Sequence, residues 1–421
     1  MRPLLFLAHR LPYPPNKGDK VRSCHFLHHL AEQYRIFLGT FIDDPQDWQH
    51  VENLNAVCAE VHVEPIAPGM RRALSAAGLF RGEALTLAYF RSSRLRRWVE
   101  EVVAREQIAH AFAFSSPMAQ YVAGMEGLRT VLDFVDMDSA KWGDYARAKP
   151  WPVSVIYRRE CTRLLAYEHA VGASADAVVF VTQEESNLYR NSGGRVPPKA
   201  VTICNGVDAE YFSPSTQHET PFTPDERAVV FTGAMDYWPN IDAVVWFARD
   251  VLPLLRAAVP SLRFYVVGMN PSQVVRDLAK DPGVRVTGRV DDVRPFLQHA
   301  ACVVAPLRVA RGIQNKVLEA MAMGKATVVT TAAAAGLQPI GAGEIIVADT
   351  ANEFARRVQD ALDPVHAEAI GRKAREMIVR DFAWQKSYEQ LDALLEGHEV
   401  PDASLRHMPQ DVQEHCAVIQ P

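Results

Sequence analysis

Several hallmarks of familiar protein classes are missing from this sequence of 421 residues. Its six cysteines are scattered without a CxxC pair, which disfavours a disulfide framework or a zinc site and favours reduced thiols. Its 45 basic residues do not outnumber its 50 acidic ones, so the net charge of −5 argues against a protein that coats nucleic acid. No apolar run reaches the roughly 20 residues that span a bilayer. The apolar core near the N-terminus is too short for a signal peptide, and we expect a buried strand there.

The sequence contains a regular alternation of short apolar runs with longer helical patterns. This alternation predicts parallel α/β sheets with helices on both faces. The predicted strands are Leu4–Ala8, Ile36–Phe41, Ala109–Phe114, Thr130–Phe134, Ala177–Val181, Ala200–Ile203, Ala228–Phe231, Arg263–Val267, Val284–Thr287, Ala301–Ala305 and Thr327–Thr330. The predicted helices include residues 19–33, 241–257, 314–323 and 365–395.

The strand and helix pattern occurs twice along the chain. The intervening segment Tyr211–Asp225 holds three prolines and few apolar residues, which is typical of a linker. We therefore predict two doubly wound domains, residues 1–212 and 226–371, with residues of about 372–398 packing back on the first. Residues 399–421 lack an apolar period, and we expect them to form a disordered tail. Ligands of open α/β sheets bind beyond the carboxyl ends of the strands, so we expect the site in the cleft between the two sheets.

The segment Pro306–Gly324 carries the densest set of functional residue types. It follows a predicted strand and enters a predicted helix, and Gly312 allows close backbone approach to a ligand. A helix start with nearby cations suits a phosphate. The cations are Arg308, Arg311 and Lys316. Glu319 shares a helix face with Lys316 and suits ribose hydroxyls, so the set fits a nucleotide clamp, although a surface helix with an ion pair has the same spacing.

Part of this segment resembles a known family. Glu319–Gly324 reads Glu-Ala-Met-Ala-Met-Gly and resembles the end of the sugar-nucleotide signature of glycosyltransferase family 4, retaining enzymes of the GT-B fold. Residues 201–214, 230–240 and 288–293 resemble other motifs of that family in the expected order. Asp136-x-Asp138 and the run 311–316 are most similar to the sugar transferases associated with PEP-CTERM/exosortase exopolysaccharide systems.

The resemblance implies two facing Rossmann-like domains whose C-terminal helix crosses back to the first domain. It also implies transfer of a hexose-type sugar from a nucleotide diphosphate to a glycan or polyprenyl-linked acceptor, without a metal cofactor. The implied donor-binding residues are Gly233, Arg289, Val290, Arg308, Arg311, Gly312, Ile313, Lys316 and Glu319. The implied acceptor-binding residues are Lys17, Gly18, Asp19 and Asp138.

Asp136 and Arg311 are the residues that we expect to be catalytic. Asp136 follows the strand Thr130–Phe134 and suits a group that orients or deprotonates the acceptor hydroxyl. Helix capping by an aspartate or by Ser139 accounts for the same residue types. A metal site at Asp136-x-Asp138 is a less favoured interpretation. His9 and His110 are expected to be packed histidines rather than bases.

The sequence departs from the family pattern in two places. Many members carry a glutamate eight residues before the second glutamate, and Arg311 stands there in this chain. Either Arg311 has joined the phosphate clamp, or the chain is a catalytically silent scaffold. A sugar-nucleotide epimerase is a third alternative. After Gly233, Ala234–Trp238 replaces the usual basic residues, so the diphosphate would depend more on the cations of the later loop.

Residues 71–105 contain eight arginines and three glutamates, interleaved with apolar residues that include Trp98. The pattern suits docking on the anionic inner face of the cytoplasmic membrane, where lipid-linked acceptors reside. A solvated helix face has the same pattern. We therefore expect a cytoplasmic protein, peripheral on that membrane if the first interpretation holds.

Overall fold

The chain forms two parallel sheets, one in each of two compact units. This computed structural model describes residues 1–15, 18–66, 82–194, 200–310, 312–337, 340–341 and 343–400. The first unit contains residues 1–204 and the chain from Tyr388 onward, and the second contains residues 205–387. Among the helices of these described ranges, none combines the length and hydropathy that a membrane crossing requires.

The sheet of the first unit has seven strands in the order β3-β2-β1-β4-β5-β6-β7, all parallel. The strands are β1 (Arg2–Ala8), β2 (Tyr34–Ile42), β3 (Glu60–Pro65), β4 (His110–Phe114), β5 (Arg129–Val135), β6 (Ala177–Phe180) and β7 (Ala200–Thr202). Leu4–Ala8 is completely buried, as a central strand covered by helices on both faces requires. This confirms the prediction that the chain starts with a buried strand.

The helices of the first unit connect successive strands. They are α1 (Gly18–Gln33), α2 (Val51–Asn55), α3 (Leu85–Tyr89), α4 (Ser93–Glu106), α5 (Asp138–Ala148), α6 (Val153–Ser174) and α7 (Gln183–Asn191), with 3-10 turns at Pro45–His50 and Ser116–Tyr121. Serine or threonine caps fix two of the helix starts, since Ser92 accepts from the backbone N–H of Leu95 and Thr182 from that of Glu185.

The second sheet has six parallel strands in the order β10-β9-β8-β11-β12-β13. The strands are β8 (Arg227–Thr232), β9 (Leu262–Val267), β10 (Val284–Gly288), β11 (Cys302–Ala305), β12 (Thr327–Val329) and β13 (Ile346–Val347). The helices are α8 (Trp238–Trp246), α9 (Leu252–Ala258), α10 (Gln273–Leu278), α11 (Arg294–His299), α12 (Asn315–Ala322), α13 (Thr331–Ala334), α14 (Ala351–Ala361), α15 (Pro364–Asp381) and α16 (Trp384–Glu396), with a 3-10 turn at Ala335–Leu337. Both strand orders are doubly wound, which confirms the predicted fold class.

The final helix, α16, contains the point at which the two units divide. Its later residues pack on the first unit: the Tyr388 hydroxyl lies 2.9 Å from His25 Nδ1, and an Asp392 carboxylate oxygen lies 2.9 Å from His29 Nε2. The predicted return of the C-terminal helix is therefore confirmed. It starts at Tyr388 rather than near residue 372, because α15 packs in the second unit.

Two segments differ from the sequence prediction for identifiable reasons. The helix predicted over residues 241–257 is divided by a π-helical segment, Phe247–Val251. Pro253 follows in the first turn of α9, and its missing N–H prevents a continuous α-helical ladder. The linker Tyr211–Asp225 belongs to the second unit, where the Arg375 guanidinium donates to the Phe212 carbonyl at 3.0 Å.

Candidate functional site

The order of strands in the second sheet reverses between β8 and β11. Ligands of doubly wound sheets bind at the carboxyl ends of the strands that flank such a reversal. Gly233 follows β8, and the segment Pro306–Gly312 follows β11. The fold therefore places two of the predicted donor segments at the expected edge.

The loops after β8 and β9 contact each other through glycine backbone. Gly233 has φ +151° and donates its N–H to the Val267 carbonyl at 3.0 Å. A Cβ atom added to Gly268 would lie 1.7 Å from the Gly233 carbonyl oxygen, and one added to Gly233 would lie 3.1 Å from Lys316 Cε. Glycine is required at both positions, so no side chain covers the backbone at this part of the site.

Lys316 lies in the first turn of α12, with its side chain beside Gly233. Its ammonium donates to Asn240 Oδ1 at 2.7 Å and lies 5.2 Å from the centre of the Phe231 ring. Asn240 in turn donates through Nδ2 to the Ala234 carbonyl at 2.8 Å. Burial lowers the pKa of Lys316 to about 8, although Glu319 opposes this shift.

Glu319 lies one turn further along α12 and is partly buried. Burial raises the pKa of its carboxyl to about 7, against the lowering effect of Lys316. Within the described parts of the chain, the Glu319 carboxylate has no hydrogen-bond or ion-pair partner, and only the backbone carbonyl of this residue accepts, from the Met323 N–H. A desolvated carboxylate without a hydrogen-bond partner can accept hydrogen bonds from ligand hydroxyls.

Gly312 and Ile313 form the loop that leads into α12. Gly312 has φ +68°, and its carbonyl accepts from Gln314 Nε2 at 3.2 Å. A Cβ atom on Gly336 would lie 2.7 Å from the Gly312 carbonyl oxygen, so the loop rests directly on the backbone of the neighbouring 3-10 turn. Ile313 is partly buried, and Arg311 lies outside the described residues.

Arg308 is at the carboxyl edge of the sheet but already has an anionic partner. Its Nε lies 2.9 Å from Asp242 Oδ2, and its terminal nitrogen bonds the other carboxylate oxygen. This bidentate pair raises the pKa of Arg308, chiefly through the hydrogen bonds that the guanidinium donates to the Asp242 carboxylate. Any contribution of Arg308 to anion binding is therefore reduced by Asp242.

Arg289 and Val290 follow β10 on the same edge. The Arg289 side chain is exposed and forms no ion pair within the described ranges, whereas Val290 packs against the apolar cluster around Leu297. The Gly288 carbonyl accepts from the Gly268 N–H at 3.2 Å, and this bond links the loop after β10 to the contact between Gly268 and Gly233. Arg289 and Val290 both follow the carboxyl end of β10, and their role in donor binding stays a prediction.

In the first unit, two carboxylates at the end of β5 share one ammonium. Lys141 Nζ lies 2.9 Å from Asp136 Oδ2 and 3.3 Å from Asp138 Oδ1, and Ser116 Oγ donates to Asp138 Oδ2 at 3.1 Å. Burial lowers the pKa of Lys141, but the two carboxylates outweigh burial and raise it overall. The ammonium of Lys141 therefore compensates part of the negative charge of the two carboxylates.

The helix-capping alternative for these residues is wrong. Met137 occupies the cap position of α5 without a side-chain cap, and the Ser139 N–H donates to Glu168 Oε1 at 3.2 Å. Glu168 is buried, and burial raises its pKa to about 8. Ser139 therefore anchors α5 to α6 rather than capping its own helix.

The backbone at this edge of the first sheet is strained. Val135 has φ +68° and Ser115 has φ +79°, at the ends of the neighbouring strands β5 and β4. A positive φ is costly for a β-branched residue and typically survives where surrounding structure enforces it. Here the Ser115 N–H donates to the Asp133 carbonyl at 2.7 Å, and the Val135 N–H to the Asp133 carboxylate at 3.1 Å.

Asp133 itself is not a site residue. It is completely buried and forms an ion pair with Arg22, with 2.7 Å between Oδ2 and Nε. Burial raises the pKa of the Asp133 carboxyl, and Arg22 opposes the shift. The pair connects α1 to β5 and fixes the strand from which Asp136 projects.

The predicted acceptor loop is described only in part. Lys17 lies outside the described residues, and Gly18 and Asp19 form the first turn of α1. His9 follows β1, and its ring stacks on Phe114 with 5.8 Å between centroids. His110 lies at the opposite, amino edge of the sheet, which agrees with a packing role.

The described part of the arginine-rich stretch packs its apolar side inward. In α4 the side chains of Leu95, Trp98, Val99 and Val102 are buried in the core of the first unit. Arg105 pairs with Glu60 and Glu106. Membrane docking through residues 71–105 stays a prediction; these four apolar side chains are committed to the core, and residues 71–81 lie outside the described ranges.

Sequence reasoning missed four contributors to the two sites. Asn240 positions Lys316, Asp242 pairs with Arg308, Gly268 supports Gly233, and Lys141 joins the two aspartates. Asn240 stands inside residues 230–240, which the resemblance covers, and Lys141 comes three residues after Asp138, so both positions were visible. Asn240 and Lys316 are distant in sequence, and only the fold brings them together, whereas Lys141 follows its two aspartates within five residues.

Comparisons with known proteins agree with this architecture. The residues 226–364 match the sequence profile of a family described as "Glycosyl transferases group 1". No curated protein gives a significant match. Solved structures of low sequence identity match nearly the whole chain, and together with the two doubly wound sheets they show that the fold is GT-B.

Three of these structures illustrate the match. Sucrose-phosphate synthase from Thermosynechococcus elongatus is 16% identical, with 94% of this chain and 98% of that chain covered and a TM-score of 0.67. HepE from Anabaena in complex with UDP is 15% identical, with 94% and 100% covered and a TM-score of 0.65. WaaG, described as a glycosyltransferase involved in lipopolysaccharide biosynthesis, is 15% identical, with 94% and 100% covered and a TM-score of 0.62.

Proposed function

We propose that this protein is a retaining glycosyltransferase that transfers a hexose-type sugar from a nucleotide diphosphate to a hydroxyl of a glycan or lipid-linked acceptor. The proposal includes a role in exopolysaccharide biosynthesis at the cytoplasmic face of the membrane, as the sequence resemblance implies. No metal cofactor is required, since the chain supplies the cations. HepE, whose structures hold UDP and UDP-glucose, makes the uridine donors the first to test.

One observation carries the donor part of the proposal. Lys316 and Glu319 stand on one face at the start of α12, beside the bare backbone of Gly233, at the reversal point of the sheet. A lysine and a helix start suit the diphosphate, and the carboxylate suits the ribose. Negative charge grows on the diphosphate as the glycosidic bond breaks, so Lys316 would stabilise the transition state more than the ground state.

The acceptor part of the proposal rests on Asp136. During transfer the acceptor oxygen forms a bond to the anomeric carbon, the bond to the diphosphate breaks, and the hydroxyl proton passes to the Asp136 carboxylate or to an oxygen of the departing diphosphate. Asp136 has a second oxygen beside the one that meets Lys141, and that oxygen would orient the acceptor hydroxyl. The strained backbone at Val135 fixes the direction in which Asp136 leaves the strand.

The test is a calorimetric titration with UDP, GDP, ADP and the matching nucleosides, preceded by a screen of nucleotide sugars for thermal protection. We expect one diphosphate to bind and Lys316→Ala to weaken its binding far more than that of its nucleoside. Failure of all three diphosphates at millimolar concentration, or an equal effect on both ligands, would contradict the donor assignment.

A catalytically silent GT-B binding protein is the second candidate, because Arg311 stands where many relatives carry a glutamate. It predicts the same nucleotide binding without turnover. Release of nucleoside diphosphate from the bound sugar nucleotide, measured with and without an acceptor extract, distinguishes the two. Catalytic turnover supports transfer, whereas tight binding without product supports the silent protein.

A further inference from the structure

The first unit exposes an unusual number of large apolar side chains at one place, the connection between α5 and α6. We name residues 145–158 the hairpin tip. Exposed fractions there are 80% for Trp151, 53% for Val155, 52% for Tyr145, 40% for Val153 and 39% for Ile156. Exposed apolar residues are ordinary when single, but such a group marks an interaction surface.

The hairpin tip extends beyond the carboxyl edge of the sheet. Helix α5 starts at that edge, at Asp138, and α6 returns to the amino edge, just before β6. The 22 residues of α6 span about 33 Å, whereas the seven residues of β5 span about 23 Å, so the tip projects by about 10 Å. It is a convex feature on the same edge as Asp136.

Charge at the hairpin tip has one sign. The segment contains Arg147, Lys149 and Arg158 and no acidic residue. Arg147 pairs with Asp144, just outside the segment, and the side chains of Lys149 and Arg158 are exposed. Aromatic rings support the exposed residues from within, since Trp142 and Tyr157 lie 5.1 Å apart and both contact Tyr145.

We propose that the hairpin tip docks on the anionic surface of a lipid bilayer, with Trp151 at the level of the headgroups. Tryptophan and tyrosine prefer the interface between hydrocarbon and water, and flanking lysine and arginine bind anionic headgroups. The shape fits a membrane better than a second copy of the chain, because a two-fold contact would bring equal positive charges together.

Docking at this place would present Asp136 to an acceptor that stays in the membrane. The tip projects about 10 Å beyond the carboxyl edge, so the headgroup level would lie roughly that far from the end of β5. This consequence rests on the proposed function, whereas membrane binding itself does not require a donor or an acceptor.

The experiment is co-sedimentation of the full chain with vesicles of phosphatidylcholine alone and of phosphatidylcholine with phosphatidylglycerol, at low salt and without nucleotide. We expect binding to the anionic vesicles, weakened about tenfold by Trp151→Ser because a large ring leaves the interface. Trp48→Ser removes another exposed tryptophan of the same unit and should bind as the parent does. Lys149→Glu with Arg158→Glu should abolish the preference for anionic lipid.

Three results would overturn the proposal: no binding of the parent, equal binding of Trp151→Ser, or loss caused only by replacing Arg71, Arg72 and Arg81. Self-association that Trp151→Ser abolishes, seen by sedimentation velocity without vesicle binding, would assign the tip to a second copy. Thermal unfolding of each variant verifies its fold. Donor titrations are independent of these measurements, so either proposal can fail alone.

Discussion

The ammonium of Lys316 gives the donor site a pH dependence that can be calculated. Burial lowers its pKa to about 8 in the free protein. A diphosphate binds the charged form and holds the proton on it, so observed affinity follows the protonated fraction of the free protein. Affinity is therefore highest below the lowered pKa and falls as pH rises through it.

The size of the effect follows from the titration curve. With a pKa of about 8, the protonated fraction falls from about 0.9 at pH 7 to about 0.25 at pH 8.5, so affinity should fall about fourfold. Lys316→Arg keeps its charge over this range and should remove the decline of affinity with rising pH. An unperturbed lysine, with a pKa near 10.4, would also give a nearly flat profile for the parent.

Calorimetric titration of the diphosphate and its nucleoside at four pH values measures this. The nucleoside removes any contribution from ionisation of the base, and only the diphosphate should lose affinity. An equal decline for Lys316→Arg, or for the nucleoside, would refute the assignment of the titrating group to Lys316.

Three further predictions follow from the described contacts. Glu319→Gln should weaken a nucleoside diphosphate by about ten- to a hundredfold and leave a 2′,3′-dideoxy analogue unchanged in calorimetry, because only ribose hydroxyls bond the carboxylate. Gly268→Ala should abolish that binding in the same assay, since the added Cβ would meet the Gly233 carbonyl. Gly324→Ala is the control, because Gly324 also has a positive φ, of +66°, but its added Cβ would lie 3.8 Å from the nearest neighbour. This control should lose about 1 kcal/mol in the free energy of unfolding and keep its binding. Asp133→Asn should lower the free energy of unfolding in urea by about 3–5 kcal/mol by removing the buried carboxylate that meets Arg22 Nε, and replacing both residues by apolar ones should recover most of it.

The fold was predictable because its information is local. Continuous apolar runs such as Leu4–Ala8 indicate strands buried on both faces, and their alternation with helices defines the doubly wound order. Strand β3 was not predicted, because its charged residues interrupt the apolar run by which strands were identified. An edge strand does not need such a run. The division of α8 from α9 was missed because Pro253 acts on a hydrogen-bond ladder that residue periodicity does not reveal.

The site was predictable only to the level of segments. Gly312, Lys316 and Glu319 could be identified because glycine, a cation and an acid stand close in sequence. Their chemistry depends on distant neighbours: burial lowers the pKa of Lys316, and the bond to Asn240 fixes where its ammonium lies. Arg308 shows the same limit, because its residue type indicates phosphate binding and only the structure supplies Asp242.

The Arg308 pair gives a prediction in which the obvious residue matters little. The guanidinium is half exposed, at 51%, and Asp242 already neutralises it, so Arg308→Ala should weaken diphosphate binding by less than about threefold. Asp242→Asn frees the cation, and at low salt the diphosphate should bind a few-fold more tightly. Because the Arg308 guanidinium is half exposed, that gain should disappear at high salt, where the screening length falls to about 3 Å.

The double variant Arg308→Ala/Asp242→Asn separates charge release from damage to the loop. If the gain comes from the freed arginine, the double variant should bind like Arg308→Ala alone, because no cation remains to be released. A gain that persists in the double variant would mean that Asp242 repels the diphosphate directly. A loss in Arg308→Ala as large as that in Lys316→Ala would mean that ligand binding breaks the ion pair, and Arg308 would then belong to the clamp.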